Sequence, residues 1–198
     1  RAPNRGRPTV SGMVTDLSRT VPSVPDAADG VAWLRASVVR FSEGAAHARR
    51  RALVEAELAG IDPEALRESA SRGRGTAVDV LAEALGLPVD AADVEVVARC
   101  YQPHEVITDE ADEALARLVA ACGGYDEVTA NRIGLLVQAC AATAALVAGV
   151  HPPVPTTRRV TPDGAVVEVD LTDHPFGLGA HACPGERHAL AIAEGLTR

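Results

Sequence analysis

The chain has 198 residues, enough for one domain with a single core, and a formal net charge of -8. That charge argues against a nucleic-acid backbone or an anionic membrane surface as the main partner and leaves small molecules and other proteins. Hydrophobic residues make up 47% but aromatics only 3%, so Ala, Val and Leu must fill the core, a mix that favours helices.

Residues 1–30 are rich in Pro, Gly, Ser and Arg without periodicity and read as loop or frayed terminus. Helical spacing begins at about Val31 and runs to Leu58, with Leu34, Val38 and Phe41 on one face and Gly44 as a break between two helices. Pro63 to Ser71 reads as a short helix with Pro in its first turn, and Thr76 to Leu87 as another with Val78, Leu81 and Leu85 in register. Asp90 to Tyr101 and Ala111 to Cys122 continue the pattern, and Gly123-Gly124 supplies a stop. The long apolar run from about Asp126 to Val150 is too rich in Ala for a good membrane span and reads as a buried helix.

Pro152, Pro153 and Pro155 end that helix. Thr156 to Val160 and Ala165 to Leu171 carry β-branched residues around Pro162-Asp163-Gly164, which predicts a hairpin. Pro175 to Gly185 is a glycine-rich loop, and Glu186 to Gly195 returns to helix. Cys100, Cys122, Cys140 and Cys183 form no Cys-x-x-Cys pair, so neither a zinc knuckle nor a disulfide framework is expected and a reducing cytoplasm fits. No charged leader followed by an apolar segment opens the chain, so no export is expected. The chain opens on Arg and closes within a helical pattern, which suggests a fragment.

The loop Phe176-Gly177-Leu178-Gly179-Ala180-His181-Ala182-Cys183-Pro184-Gly185 resembles the cysteine loop of the cytochrome P450 family at each defining position: Phe176, Gly177, Gly179, His181, Cys183 and Gly185. The resemblance implies a mainly α, P450-like haem-binding domain, shortened, spanning 1–198, with a small β-hairpin before the loop. It further implies haem b, with Cys183 as the thiolate ligand of its iron. Glycines allow a tight backbone beside a flat macrocycle, and a helix start just after Cys183 is expected to favour thiolate over thiol. Phe176 is expected to shield the sulfur from water. The alternative is a glycine-rich turn around a structural Cys.

Three weaker resemblances accompany it. Phe41 to Arg51 is similar to the family's C helix, where a His and an Arg hold a haem propionate; His47 and Arg51, four apart, share a helix face, and Arg49 points elsewhere. Arg159, with Arg158 close behind, is similar to the strand Arg that meets the other propionate, and the resemblance implies that His181 joins it. Each has a bland alternative as a solvated surface charge. The run Ala139-Cys140-Ala141-Ala142-Thr143 is similar to the I helix over the distal haem face, with Thr143 at the oxygen-binding kink and Ala142 where the family carries an acid. Losing that acid implies water-dependent proton delivery. In an Ala-rich helix, however, a Thr is more often simply packed, its hydroxyl bonded back to the previous turn.

Family domains are about twice this length, and the only Glu-x-x-Arg pair, Glu64 to Arg67, lies far upstream of the family's position and reads as an exposed helical ion pair. The resemblance implies a monooxygenase that uses dioxygen and a ferredoxin-type electron donor on a small, mostly apolar metabolite. Two alternatives remain open: a haem-thiolate protein that performs isomerisation, dehydration or bond formation without activating oxygen, and a non-enzymatic helper or fragment.

Overall fold

A computed structural model gives the architecture for residues 9–10, 19–73 and 75–198. Eight α-helices run in chain order among them: α1 (Gly30–Ser37), α2 (Gly44–Ala59), α3 (Pro63–Arg72), α4 (Ala77–Ala84), α5 (Ala91–Arg99), α6 (Asp109–Cys122), α7 (Glu127–Val147) and α8 (Glu186–Leu196). Five of them start where the sequence supplies a capping oxygen. Asp62, Thr76, Asp90, Thr108 and Asp126 each accept a first-turn N–H, and Thr76 with Asp79 closes a capping box. Pro63 occupies the first turn of α3, where its missing N–H is harmless.

The start of α1 is different because its cap comes from another helix. Val31 N–H donates to Asp112 Oδ1 of α6 at 2.7 Å, and Gly30 sits at φ +63° with the carboxylate 2.6 Å from where a Cβ would be. Only glycine fits that corner. At the far end of α1, buried Arg35 donates to the carbonyls of Cys100, Tyr101 and Glu105 and so closes the C-terminus of α5.

The helices α1, α2, α4, α5, α6 and α8 all pack against α7. Ala130, Ile133, Leu136 and Val137 of α7 are buried in one continuous apolar core. Asn131, also buried, accepts from Val39 N–H at 2.9 Å and donates to Glu127 O at 2.7 Å, so its polar ends are matched. The expected burial of the long helix holds for this half only. From Ala141 onward the helix is half-buried or exposed apart from Thr143, and Val150 beyond it is half-exposed. Among the described residues α7 is the one helix long and apolar enough to cross a membrane by length and composition.

Strands β2 (Thr156–Val160) and β3 (Val166–Asp170) form the expected antiparallel hairpin, with Gly164 at φ +84° in its turn. Beyond it, β1 (Thr9–Val10) lies parallel to β3, and Thr20 bridges Val160. This corrects part of the reading of residues 1–30 as loop: Thr9–Val10 and Thr20 pair with the sheet, while residues 1–8 and 11–18 lie outside the described residues. A two-residue pairing leaves no period-2 signal, and its partner is more than 150 residues away in the chain.

Helices α3 and α8 approach closely at Gly195. A Cβ on Gly195 would collide with Arg67 O and lie 2.6 Å from Ala70 Cβ. At an ordinary helical site Gly→Ala stabilises by about 1 kcal/mol. Here Gly195→Ala is expected to destabilise instead, by about 1–3 kcal/mol from overpacking, measured by urea unfolding.

At the start of α7, Glu127 accepts from Arg49 at 2.7 Å and from Arg50 at 2.9 Å. Arg49 therefore points away from the cysteine loop, as its spacing implies. The Arg49 hydrogen bond, assisted by Arg50 and opposed by partial burial, holds the Glu127 carboxyl down at about 2. Its folded value lies below its unfolded one, so the stability it lends is present above pH ~4.5 and lost as pH falls towards 2. Glu127→Gln is expected to lower stability at neutral pH and to flatten its decline over that acid window, read from chemical unfolding at several pH values.

Candidate cofactor site

The loop before α8 is shaped by its own backbone. Gly177 N–H donates to His174 O at 2.8 Å, Ala182 N–H to Gly179 O at 3.1 Å, and Cys183 N–H to Phe176 O at 2.8 Å. Gly177 and Gly179 take φ of +74° and +65°, and a Cβ on Gly177 would press to 3.4 Å from His181 O. L-residues adopt such angles only with strain, which is why this loop needs glycine at those two places. A short 3-10 turn, Gly179–His181, then carries the chain to Cys183, and Gly185 stands at the start of α8.

Cys183 is exposed, whereas Cys100 and Cys122 are buried and Cys140 lies between. The residue as a whole is open to solvent, yet the surrounding protein displaces much of the water a thiolate needs. Desolvation accordingly pushes the thiol up, against the Gly185 backbone N–H and the charges of Arg51 and Arg40, which pull it down. The backbone at the helix start favours the thiolate as expected, but burial outweighs it, and Phe176 meets the cysteine through its carbonyl.

Helix α2 supplies the groups that meet the loop. Arg51 donates from Nη1 to Ala182 O at 2.5 Å and to Ala180 O at 3.4 Å, while its Nε donates to Glu55 at 2.6 Å. It thus clasps the carbonyls on either side of the turn that presents Cys183. His47, buried, stacks obliquely on His181 with ring centroids 4.3 Å apart. Burial above all, then the neighbouring His181, lowers the His47 pKa and favours its neutral form. His181 Nε2 lies 3.2 Å from Glu43 Oε1.

Of the two strand arginines, Arg158 pairs across the hairpin with Glu168, and Arg159 is near enough to Arg40 and Glu43 to feel the charge of each. Arg159 donates to Thr157 Oγ1 and Arg158 O, both at 2.8 Å. Burial and the nearby Arg40 lower its pKa, while Glu43 opposes them. Arg40 is the residue sequence reasoning missed. It lies in the 3-10 turn Val39–Phe41 ahead of α2, so helical spacing from His47 gives no hint of it. Its Nε is buried without a hydrogen-bond partner, and its guanidinium lies 5.8 Å from the Phe41 ring centroid.

Ala139 packs against the helical core, Ala142 is half-buried and Thr143 is buried at 1% exposure. Among the described residues, the side chains that bond to the cysteine loop come from α2 and the residue before it. Two hollows of about 390 and 450 Å³ lie elsewhere, one beside Gly60 and Leu85, the other beside Ile61 and His188. Neither is lined by Cys183, and it is the chemistry at the loop rather than depth that marks the site.

The donor set suits a haem. Among the described residues no group of three His, Cys, Asp or Glu side chains could hold a bare metal ion. Cys183 offers a single thiol in a loop that Arg51 and the His47–His181 pair meet. The buried orphan Nε of Arg40, near Arg159, matches a carboxylate-bearing edge of a haem. Comparison with family models, curated proteins and solved structures finds no match for this chain.

Arg51 lowers the Cys183 pKa and holds its loop, so Arg51→Ala is expected to move the pH midpoint of Cys183 alkylation upward. Peptide mass spectrometry after timed iodoacetamide labelling checks it, with Cys100 and Cys122 expected to stay protected in the folded protein.

Proposed function

We propose that the chain is a haem-thiolate oxidoreductase of the cytochrome P450 type, with Cys183 as the iron ligand. One observation carries this reading. Two motifs about 130 residues apart in sequence meet in space: His47 and Arg51 of α2 touch His181 and the carbonyls beside Cys183. A solvated basic run or a glycine-rich turn has no reason to converge in this way.

In this proposal a bound haem supplies the redox chemistry and dioxygen activation. Cys183 would bind its iron; the thiol must lose a proton to do so, helped by the Gly185 N–H and by Arg51 and Arg40. His47, His181, Arg159 and Arg40 would hold the carboxylates. Arg51 acts mainly by fixing the loop. The substrate would be a small, mostly apolar molecule and the electron donor a ferredoxin-type protein.

A second reading, haem-thiolate chemistry without oxygen activation, is favoured by α7. Ala142 offers no proton and Thr143 is buried at 1% exposure, so among the described residues this stretch of α7 presents no side-chain acid. Product formed per NADPH with a surrogate ferredoxin system, set against peroxide-driven turnover, separates the two. Tight coupling supports the monooxygenase, and a good thiolate spectrum without turnover by either route supports the alternative.

Reconstituted protein is expected to bind one haem non-covalently, with a ferrous carbonyl spectrum diagnostic of thiolate ligation that Cys183→Ser removes and Cys100→Ser keeps. His47→Ala is expected to weaken haem retention about ten- to a hundredfold, the worth of one charge-assisted bond of about 1.5–3 kcal/mol, without altering the spectrum. Haem transfer to apomyoglobin measures it, and an unchanged rate overturns the role of His47.

A further inference from the structure

The residue before α2, Glu43, stands at a helix start without capping it. Its carboxylate is engaged elsewhere. Oε1 accepts from Val21 N–H at 2.6 Å and lies 3.2 Å from His181 Nε2. Val21 is buried, and its neighbour Thr20 exchanges two backbone hydrogen bonds with Val160 of β2, at 3.2 and 2.8 Å. One oxygen atom thus joins the N-terminal segment, the start of α2 and the cysteine loop. The side chains around it are otherwise basic: His181, the His47 stacked on it, and Arg159. Glu43 is the one acid whose charge is felt at both His47 and Arg159.

We propose that Glu43 is a built-in counter-anion that competes with the carboxylates of an incoming ligand for His181, His47 and Arg159. The inference rests on the haem-thiolate reading and adds to it a restraint on loading. An incoming carboxylate that bonds to His181 and Arg159 meets both their attraction and the repulsion of Glu43 beside them. The affinity of the site is therefore set below what its cations alone would give. Glu43 is a positioning residue, holding His181 and the Val21 segment in register, and not a ligand of the haem.

The test compares haemin with haemin dimethyl ester, which has the same macrocycle and iron but no carboxylates. Soret titrations are run on the full chain and on Glu43→Gln, a variant that keeps shape and one hydrogen-bonding oxygen while losing the charge. Glu43→Gln is expected to tighten haemin about five- to tenfold and to change the ester by less than about twofold, the electrostatic signature of a lost like charge in a partly desolvated site. Equal changes for both ligands, or weaker haemin binding, overturn the proposal. Glu43→Ala, with circular dichroism to verify the fold, separates charge from shape: tightening of haemin alone in both variants supports a counter-anion, and loss of both ligands in Glu43→Ala with no haemin-specific gain in Glu43→Gln shows a purely structural role. Failure of the full chain to bind either ligand overturns the haem-thiolate reading itself, whereas haemin binding that ignores Glu43 overturns only the counter-anion.

Discussion

Burial of the first half of α7 is the constraint from which the architecture follows. Six helices converge on it, and in a core nearly without aromatic rings the fit has to come from small and branched side chains at close approach. Gly134 is the clearest case, because a Cβ there would stand 3.0 Å from Val38 Cγ1. Val38 in turn leads into the turn that carries Arg40 and then into α2. The packing of an apolar helix thus decides where the cationic groups of the site emerge.

Much of the site's electrostatics is then a matter of neighbours. Arg159 and Arg40 lie close to one another although like charges repel, and the buried Nε of Arg40 has no partner. In a chain with net charge -8 such a local excess of positive charge is a cost to folding, and an anionic ligand or an internal carboxylate offsets it. Functional sites are where local rules of this kind are commonly broken. The same location holds the exposed cysteine, so charge and nucleophile coincide.

The helices were legible in the sequence because their ends carry chemistry that acts locally. Pro63 in a first turn, Gly123 at an end and the spacing of Val78, Leu81 and Leu85 between each act within a few residues, and the helices follow from them. The hairpin was legible for the same reason, through Gly164. The cysteine loop and the pair His47 and Arg51 were legible as motifs. The duty of Arg51 was not, because the carbonyls it clasps belong to residues about 130 positions away. Arg40, Glu43 and the pairing of Thr9–Val10 were hidden likewise, since each acts through a partner that no local period encodes. The apolar composition of α7 is uniform along its length, so it could not tell the half that is packed from the half that is not.

Arg49, Arg50 and Arg51 are consecutive on α2, yet the first two grip Glu127 of α7 and the third grips the loop that bears Cys183. Side chains one residue apart leave a helix in directions about 100° apart, so the run becomes a bracket with two jaws. A glycine-bearing loop left to itself would wander on nanosecond to microsecond timescales. Bolted through α2, the sulfur instead inherits the stiffness of the core, and its placement becomes a property of helix register. Inserting one residue within α2 between this bracket and His47 would leave both jaws closed while turning the imidazole away from its partner, dismantling the site and sparing the fold.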